Sequence, residues 1–401
     1  MEELLFGQND IGGIELWEVI DAYYHCRKRK RSTVNAMQFE VYWEEECRRL
    51  WEDINSGTYR PGRSIAFIVN KPVKREIFAA DFRDRVVHHL IADKIIGILE
   101  AQFINDSYST REGKGTLFGI NRIAEQLRKV SRDYTEDCYI MRLDIEGFFM
   151  SIVKQMLFEE AEQIVRERYH GNDRELLLHL LRLTVNNRPE KNCIRKTPPS
   201  SWRGLPQRKT LFGGDGTKGL PIGNLTSQLL ALLHLDPLDH LITEKWGIEG
   251  YGRYVDDMVL IDHSREKLLA VREKIDDWLQ EHGHRLHRRK FYLQHYRKGV
   301  LFVGGMIRPG YVLMGHRSLS FCMESLHGYN EILRRKGTAD DCLIRHFISS
   351  MNSYFGLMQQ YRTYRVAHQV VGLIDPLWFN YVTVVSKGGR IKLAKGGMKK
   401  N

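Results

Sequence analysis

The run Tyr251-Gly252-Arg253-Tyr254-Val255-Asp256-Asp257-Met258-Val259-Leu260-Ile261 sets two adjacent aspartates between apolar, β-favouring segments. Two carboxylates at a tight strand turn repel each other unless a cation sits on them, and burying them without a counter-ion is costly. An isolated Asp-Asp pair is common in surface turns. Here Tyr254, Val255 and Met258 to Ile261 flank the pair, so it interrupts what reads as a buried hairpin, and a metal site is the natural reading. Upstream, Asp144 closes the strand-like run Tyr139-Ile140-Met141-Arg142-Leu143 just before Ile145-Glu146-Gly147. Three aspartates converging on two divalent cations about 4 Å apart can clamp the attacking and leaving oxygens of an in-line phosphoryl displacement. A thiol-free, oxygen-rich ligand set suits Mg²⁺ or Mn²⁺ rather than zinc.

The elements that must position these acids can be read from the spacing of apolar residues. The first 60 residues are helical in pattern, with Trp17, Ile20, Tyr23 and Tyr24, then Phe39, Trp43, Cys47, Leu50 and Ile54, at helical spacing. Between these sets lies Arg27-Lys28-Arg29-Lys30-Arg31, a solvated charge block or a phosphate contact. Ser56 to Gly62 marks a turn and a boundary, Ile65 to Lys71 is strand-like, and Asp84 to Leu99 is helical. A strand over 139–145 and helices over 153–169 and 173–184 lead into Asn186–Asp215, rich in Pro, Gly, Lys and Arg. That stretch reads as an excursion, of hairpin type, between the two acid-bearing motifs. A helix resumes after Asn224, and the Asp256-Asp257 hairpin precedes a helix from Arg265 to Glu281. Strands alternating with helices indicate an α/β or α+β core. Residues 316–385 are largely helical in pattern, and the Gly- and Lys-rich stretch from Ser386 to Asn401 reads as a disordered basic tail.

Across 401 residues, 61 Lys plus Arg stand against 50 Asp plus Glu, a formal charge of +11. That balance favours a polyanionic partner, nucleic acid or anionic membrane. No apolar run approaches the roughly 20 residues that span a bilayer. Glu2 and Glu3 do not fit a signal peptide, so a cytoplasmic soluble protein is expected. The six cysteines are scattered without a C-x-x-C pair, which indicates neither a zinc site nor a disulfide framework. His282, His284 and His287 lie in an Arg/Lys-rich stretch that reads as a solvated basic loop in preference to a metal site.

Taken in order, these segments resemble a reverse transcriptase over about residues 60 to 310. Lys71-Pro72-Val73-Lys74-Arg75-Glu76-Ile77, followed by Asp84-Arg85-Val86-Val87-His88-His89, looks like the first fingers motif. Phe103 to Arg111 through Gly113-Lys114-Gly115-Thr116 looks like the second. The Asp144 segment resembles motif A, Leu220-Pro221-Ile222-Gly223-Asn224-Leu225-Thr226-Ser227-Gln228 motif B, and Tyr254-Val255-Asp256-Asp257 motif C. Lys290 falls where motif D keeps a lysine, and Phe302-Val303-Gly304-Gly305 resembles the primer grip. One such segment is weak evidence, but seven in order make chance agreement improbable.

The resemblance implies an α+β, right-hand polymerase fold with fingers, a palm built on a ferredoxin-like antiparallel sheet with helices, and a helical thumb. Its expected divisions are an N-terminal helical extension at 1–60, fingers and palm at 61–310, thumb at 311–385 and basic tail at 386–401. Motif B narrows the family. Relatives from group II introns and retrons carry a glutamine before the glycine and a proline after the serine, where this chain has Ile222 and Gln228. The string is similar to the reverse transcriptases of diversity-generating retroelements. These copy a template-repeat RNA into cDNA, with errors opposite adenines, for mutagenic retrohoming. The partners so implied are that RNA and its cDNA, deoxynucleoside triphosphates and an accessory variability protein, a small basic helical oligomer; no membrane is implied. The alternatives are a retron, CRISPR-associated or phage-defence reverse transcriptase, against which motif B argues, and a catalytically silent RNA-binding scaffold, against which the three acids argue.

By the same resemblance, Asp144 and Asp256 would ligate two Mg²⁺ ions, or Mn²⁺, with Asp257 close by and the Ile145 carbonyl an additional ligand. Lys71 and Arg75 would reach the triphosphate from the fingers, unless they are plain surface ion-pair residues. Phe149 matches the aromatic that packs under the sugar and excludes a 2′-hydroxyl, with core packing as its other reading. Lys290 would protonate the leaving pyrophosphate, a role that a basic neighbour in Arg285 to Arg289 could also take. Gly223 would let the backbone approach the nascent base pair, and Ile222 beside it offers no amide. Gln228 completes the nucleotide-binding motif, and Gly304 and Gly305 form the primer grip.

Overall fold

Alternating and helically spaced apolar residues sort the chain into thirteen helices and twelve strands among the described residues, which are 12–28, 33–71, 73–361 and 363–396 of a computed structural model. In chain order they are α1 (Leu16–Arg27), α2 (Val34–Val41), α3 (Trp43–Asn55), β1 (Ser64–Val69), β2 (Arg75–Ala79), α4 (Phe82–Glu100), α5 (Thr116–Val130), β3 (Tyr139–Asp144), α6 (Phe148–Ser151), α7 (Lys154–Arg168), α8 (Arg174–Asn186) and β4 (Cys193–Arg195). Then come α9 (Leu225–His240), β5 (Gly250–Tyr254), β6 (Asp257–Asp262), α10 (Arg265–Glu281), β7 (Tyr292–His295), β8 (Val300–Phe302), β9 (Gly305–Arg308), β10 (Tyr311–Met314), α11 (His316–Lys336), α12 (Asp341–Met358), α13 (Tyr364–Gly372), β11 (Val382–Lys387) and β12 (Arg390–Lys395). They fall into two units: Met1–Arg111, Asp144–Gly247 and Ala270–Arg289 form the first, and Glu112–Leu143, Ile248–Leu269 and Lys290–Asn401 the second.

The first unit is organised on α4 and α9. Asp81 starts α4 by accepting the Arg83 amide at 3.1 Å, and Val86, Val87, Leu90, Ile91, Ile95 and Leu99 are buried along it. Nearly every residue of α9 from Leu229 to Leu235 is buried, as expected of a helix apolar on all sides. His88 Nδ1 and Thr226 Oγ1, 2.7 Å apart, tie α4 to α9. The three-stranded sheet here has the order β2-β1-β4. Residues 186–215 therefore do not form the expected hairpin: β4 pairs in parallel with β1, Ser64 opposite Cys193 and Ala66 opposite Arg195. The reason lies in Glu76, fully buried on β2, whose carboxylate accepts Trp202 Nε1 (2.6 Å), Thr210 Oγ1 (2.6 Å) and the Leu211 amide (2.7 Å). A buried carboxylate needs such donors, and the excursion supplies these three. At the N-terminus the helical pattern breaks at Tyr42, which separates α2 from α3. Arg27 pairs with Glu40, while Arg29, Lys30 and Arg31 of the charge block lie outside the described residues.

The second unit is built on a four-stranded sheet in the order β5-β6-β3-β7. β3 runs antiparallel to β7 and β5 antiparallel to β6. Every residue of β6 is buried, the pattern of a strand covered on both faces. α5 packs on β5 at Gly250, where an added Cβ would lie 3.4 Å from Val130 and 3.0 Å from Ile261. A second sheet runs β10-β9-β8, so the segment after residue 310 opens with a strand before it turns helical. α11 and α12 enclose a core in which Phe347 and Trp378 stack at 3.9 Å. The tail expected to be disordered from Ser386 onward is instead an antiparallel hairpin, β11 with β12, as far as Lys395. Ile391 and Leu393 bury one face of it, and Asn352 clips its edge by donating to the Leu393 carbonyl (2.8 Å) and accepting the Leu393 amide (2.7 Å). Residues 397–401 lie outside the described residues. Among the described residues no helix is long and apolar enough to cross a membrane.

Candidate active site

β5 and β6 are joined by a two-residue loop, Val255 and Asp256, closed by the pair Tyr254 and Asp257. Val255 has φ of +58°. Two-residue hairpins call for glycine at such a position, and a β-branched residue there carries about 1–3 kcal/mol of strain that the surroundings must over-determine. Two arginines supply that determination. Arg253, fully buried, donates Nη1 to the Val255 carbonyl at 3.0 Å. Arg142 on β3 donates Nε and Nη2 to the two oxygens of Asp257, both at 2.6 Å, a planar fork on a carboxylate. Burial works against the Arg142 charge, but the hydrogen bonds and charge of Asp257 more than offset it and raise its pKa. The repulsion between Asp256 and Asp257, taken from the sequence as a demand for metal, is thus met at Asp257 by a guanidinium.

Arg142 and Asp144 are two residues apart on β3 and so share a face of the strand. The fork on Asp257 joins β3, through Arg142, to the first residue of β6. Asp144 is 8% exposed and Asp257 9%, with Asp256 more open. Beyond Asp144 the chain makes one bridge, Ile145 with Leu286, in which the Asp144 carbonyl accepts the His287 amide (2.7 Å) and the Glu146 amide donates to the Arg285 carbonyl (2.9 Å). That pattern leaves the Ile145 carbonyl outside the bridge. Among the described residues no three His, Cys, Asp or Glu side chains are gathered into a metal cage. The donor set nevertheless fits Mg²⁺, which dehydrates reluctantly and is held by one or two carboxylates together with water and substrate phosphates.

A reverse transcriptase (RNA-dependent DNA polymerase) family model matches residues 70–307. The chain belongs to this family. Its members are RNA-dependent DNA polymerases of α+β, right-hand fold, and they use divalent metal ions. No curated protein matches the chain. Among solved structures it is similar to apo telomerase from Candida tropicalis truncated from the C-terminal domain, at 14% identity and TM-score 0.44 over 62% of this chain and 55% of that one. It is also similar to telomerase from Candida albicans in complex with a TWJ fragment of telomeric RNA, at 10% identity and TM-score 0.44 over 79% of this chain and 60% of that one. The chain thus spans between half and two thirds of the length of these telomerase chains.

In the first unit of this reverse transcriptase, motif B links α6 to β2. Phe149, half-buried on α6, accepts the Leu220 amide through its carbonyl at 2.8 Å, which lays motif B along α6. The Ile222 carbonyl accepts the Phe78 amide at 3.0 Å. Gly223 has φ of +125°, and an added Cβ would lie 3.1 Å from Ile77 Cγ2 and 3.2 Å from the Phe78 carbonyl. Glycine at 223 is thus required by its neighbours on β2, a reason separate from any nucleotide. Gln228 is exposed and accepts Thr110 Oγ1 at 3.1 Å. Lys71 is exposed in the β1–β2 turn, and Arg75 is exposed at the start of β2. In the second unit Lys290 is exposed just before β7. Val303 and Gly304, at φ of +38° and +94°, form the turn between β8 and β9. Gly305 lies so close to α5 that a Cβ would meet Ile120 at 2.8 Å.

The histidine cluster is not a solvated loop. His284 is 3% exposed, with Nδ1 2.7 Å from Ser151 Oγ and Nε2 2.8 Å from Nε2 of the fully buried His234, whose Nδ1 lies 2.8 Å from Glu160. Burial first, then the charges of His234, His282 and Lys218, lowers the His284 pKa to about 3. The Phe148 ring lies 5.3 Å from His284, so this polar chain underlies α6. His282 stacks on Trp278 at 3.7 Å. Arg142, Arg253 and the His234–His284 pair went unnoticed in the sequence. The signal for Arg142 was present: an ionisable residue in an otherwise apolar strand, on the face of Asp144.

Proposed function

We propose that this reverse transcriptase copies a template-repeat RNA into cDNA with errors opposite adenines, as the polymerase of a diversity-generating retroelement. The observation that supports this reading is the seat of motif B. Ile222, whose carbonyl accepts the Phe78 amide, stands before Gly223 at the position where, by the resemblance, relatives carry a glutamine. Loss of one hydrogen-bonding group from the nucleotide or template base need weaken discrimination by only about 1.4 kcal/mol to raise misincorporation tenfold.

In this reading Asp144, Asp256 and the Ile145 carbonyl hold the divalent ions, Mg²⁺ or Mn²⁺. These ions would acidify the primer 3′-hydroxyl and neutralise the β- and γ-phosphates of the incoming nucleotide. Asp257, clamped by Arg142, holds the turn that presents Asp256. Lys71 and Arg75 bind the triphosphate, Phe149 packs under its sugar, and Gln228 with Gly223 borders the base pair. Gly304 and Gly305 support the primer, and Lys290 supplies the proton to pyrophosphate. The template-repeat RNA and an accessory variability protein are the partners.

The test is Mg²⁺-dependent cDNA synthesis on an adenine-containing RNA, sequenced with and without the accessory protein, with Asp256→Ala and Ile222→Gln alongside. Synthesis lost in Asp256→Ala and errors concentrated opposite adenine are expected, with fewer such errors in Ile222→Gln. Faithful synthesis by the native chain would overturn the retroelement reading, and no synthesis with either partner present would overturn the polymerase reading as well.

A further inference from the structure

Beside α6, the first unit holds a cavity of about 440 Å³ lined by Met150, Lys154, Glu190, Arg208, Lys218 and the loop Gly213-Gly214-Asp215-Gly216. Its walls are joined by backbone: the Lys154 amide donates to the Thr217 carbonyl (3.0 Å), and Val153 bridges Lys218. Lys154 is 4% exposed, donates to the Asn187 carbonyl at 2.8 Å, and forms no ion pair among the described residues. Lys218, exposed at the rim, has no ion pair among them either. The acids nearby are already engaged. Glu190 accepts Arg188 Nε at 2.7 Å, and Asp215 accepts the amide (2.9 Å) and hydroxyl (2.8 Å) of Thr217. Arg208 pairs at 3.1 Å with Glu146.

Arg188 takes the carbonyls of Asp215 (2.7 Å) and Gly214 (3.0 Å). In a planar trans peptide the bond to the Asp215 carbonyl turns the Gly216 amide the other way, while the Asp215 amide serves its own carboxylate. Gly213 and Gly216 have φ of +84° and +92°, and a Cβ at Gly216 would meet Arg188 at 2.4 Å, so no side chain can fill the turn. A backbone amide in a turn without side chains, beside two ammonium groups that lack an ion pair among the described residues, is a donor arrangement that suits an anion. We propose that this cavity is a phosphate-binding site for a phosphate or pyrophosphate group of a nucleotide or polynucleotide. Burial lowers the Lys154 pKa to about 8, against the opposing pull of Glu190, which is the state of a lysine that lacks its counter-anion. A cavity of this volume is of the size that small ligands occupy.

The test does not depend on polymerase activity. The full chain is titrated calorimetrically with inorganic pyrophosphate in EDTA at pH 8, in two buffers of different ionisation enthalpy, and competed with a short single-stranded RNA. Expected are metal-independent binding, proton uptake on binding as Lys154 charges, and a loss of about tenfold or more in affinity in Lys154→Met and in Lys218→Met. Lys218 is exposed, so its variant keeps the test open even if Lys154→Met fails to fold. Displacement of pyrophosphate by the RNA assigns the phosphate to a chain, and binding of pyrophosphate alone assigns it to a free nucleotide or product. No binding of either probe without metal, or equal affinity in native chain and both variants, overturns the proposal.

Discussion

Arg142 and Asp257 meet through two near-equal hydrogen bonds of 2.6 Å, joining β3 to the first residue of β6. Both side chains are largely shielded, at 22% and 12% exposure, so the pair couples β3, at Arg142, to the turn carrying Asp256. Removing the guanidinium leaves a shielded carboxylate unpaired. Arg142→Ala is expected to lose about 3 kcal/mol of stability, the scale for breaking a buried pair on one side, together with most cDNA synthesis. Arg142→Lys keeps the charge without the fork, so it should recover stability better than kcat. Urea unfolding and single-turnover extension measure the two, and a fully active Arg142→Ala would remove the coupling from the account.

The turn itself holds Val255 at φ +58°. Val255→Gly relieves that strain while loosening the loop, and the two effects on stability nearly cancel within about 1 kcal/mol. Catalysis has no such compensation if Asp256 must be held in place. The expected result is a melting temperature close to native with a lower extension rate, and a rate equal to native would show that the strain has no catalytic use.

Gly223 meets β2 rather than open space. Gly223→Ala forces an L-residue to φ +125° with its Cβ 3.2 Å from the Phe78 carbonyl, and about 1–3 kcal/mol of strain follows. Displacement of motif B should raise the KM for nucleotide more than it lowers kcat. A variant with native KM and stability would contradict the packing described here.

Two buried histidines make the fold acid-sensitive. Burial, with the charges of His89 and Arg85, lowers His88 to about 3, and burial lowers His284 to the same value. Above pH 6.5 both are neutral whether the chain is folded or unfolded, and stability is unaffected. Between pH 6.5 and 3 the unfolded chain takes up protons that the folded chain refuses, so stability falls by about 1.4 kcal/mol per pH unit for each histidine. Urea midpoints from pH 7 to pH 5 should show this slope, and His88→Asn or His284→Asn should flatten it. An unchanged slope in both variants would place the titration elsewhere.

The sequence by itself determined the parts that rest on local pattern and on residue chemistry. Asp144 could be placed at the end of a strand, and Asp256 at a hairpin turn, because the strand-like run of β3 closes on Asp144 and apolar residues flank the Asp256-Asp257 pair. α10 was legible to the residue, Arg265 to Glu281, from its amphipathic spacing. The order of the motifs carried the family. What only the tertiary structure decided are partnerships between distant residues, to which periodicity is blind. Glu76 draws the 186–215 excursion onto β2 from more than a hundred residues away. Asn352 orders a Lys-rich end that composition alone reads as a tail, because two hydrogen bonds and the burial of Ile391 and Leu393 outweigh its local preference. His284 looks solvated in a basic stretch until the fold sets its ring 2.8 Å from that of His234, 50 residues earlier in an apolar helix. Arg142 supplies a cation to Asp257, since charge balance in a core is settled by what folds against it, not by what adjoins it along the chain.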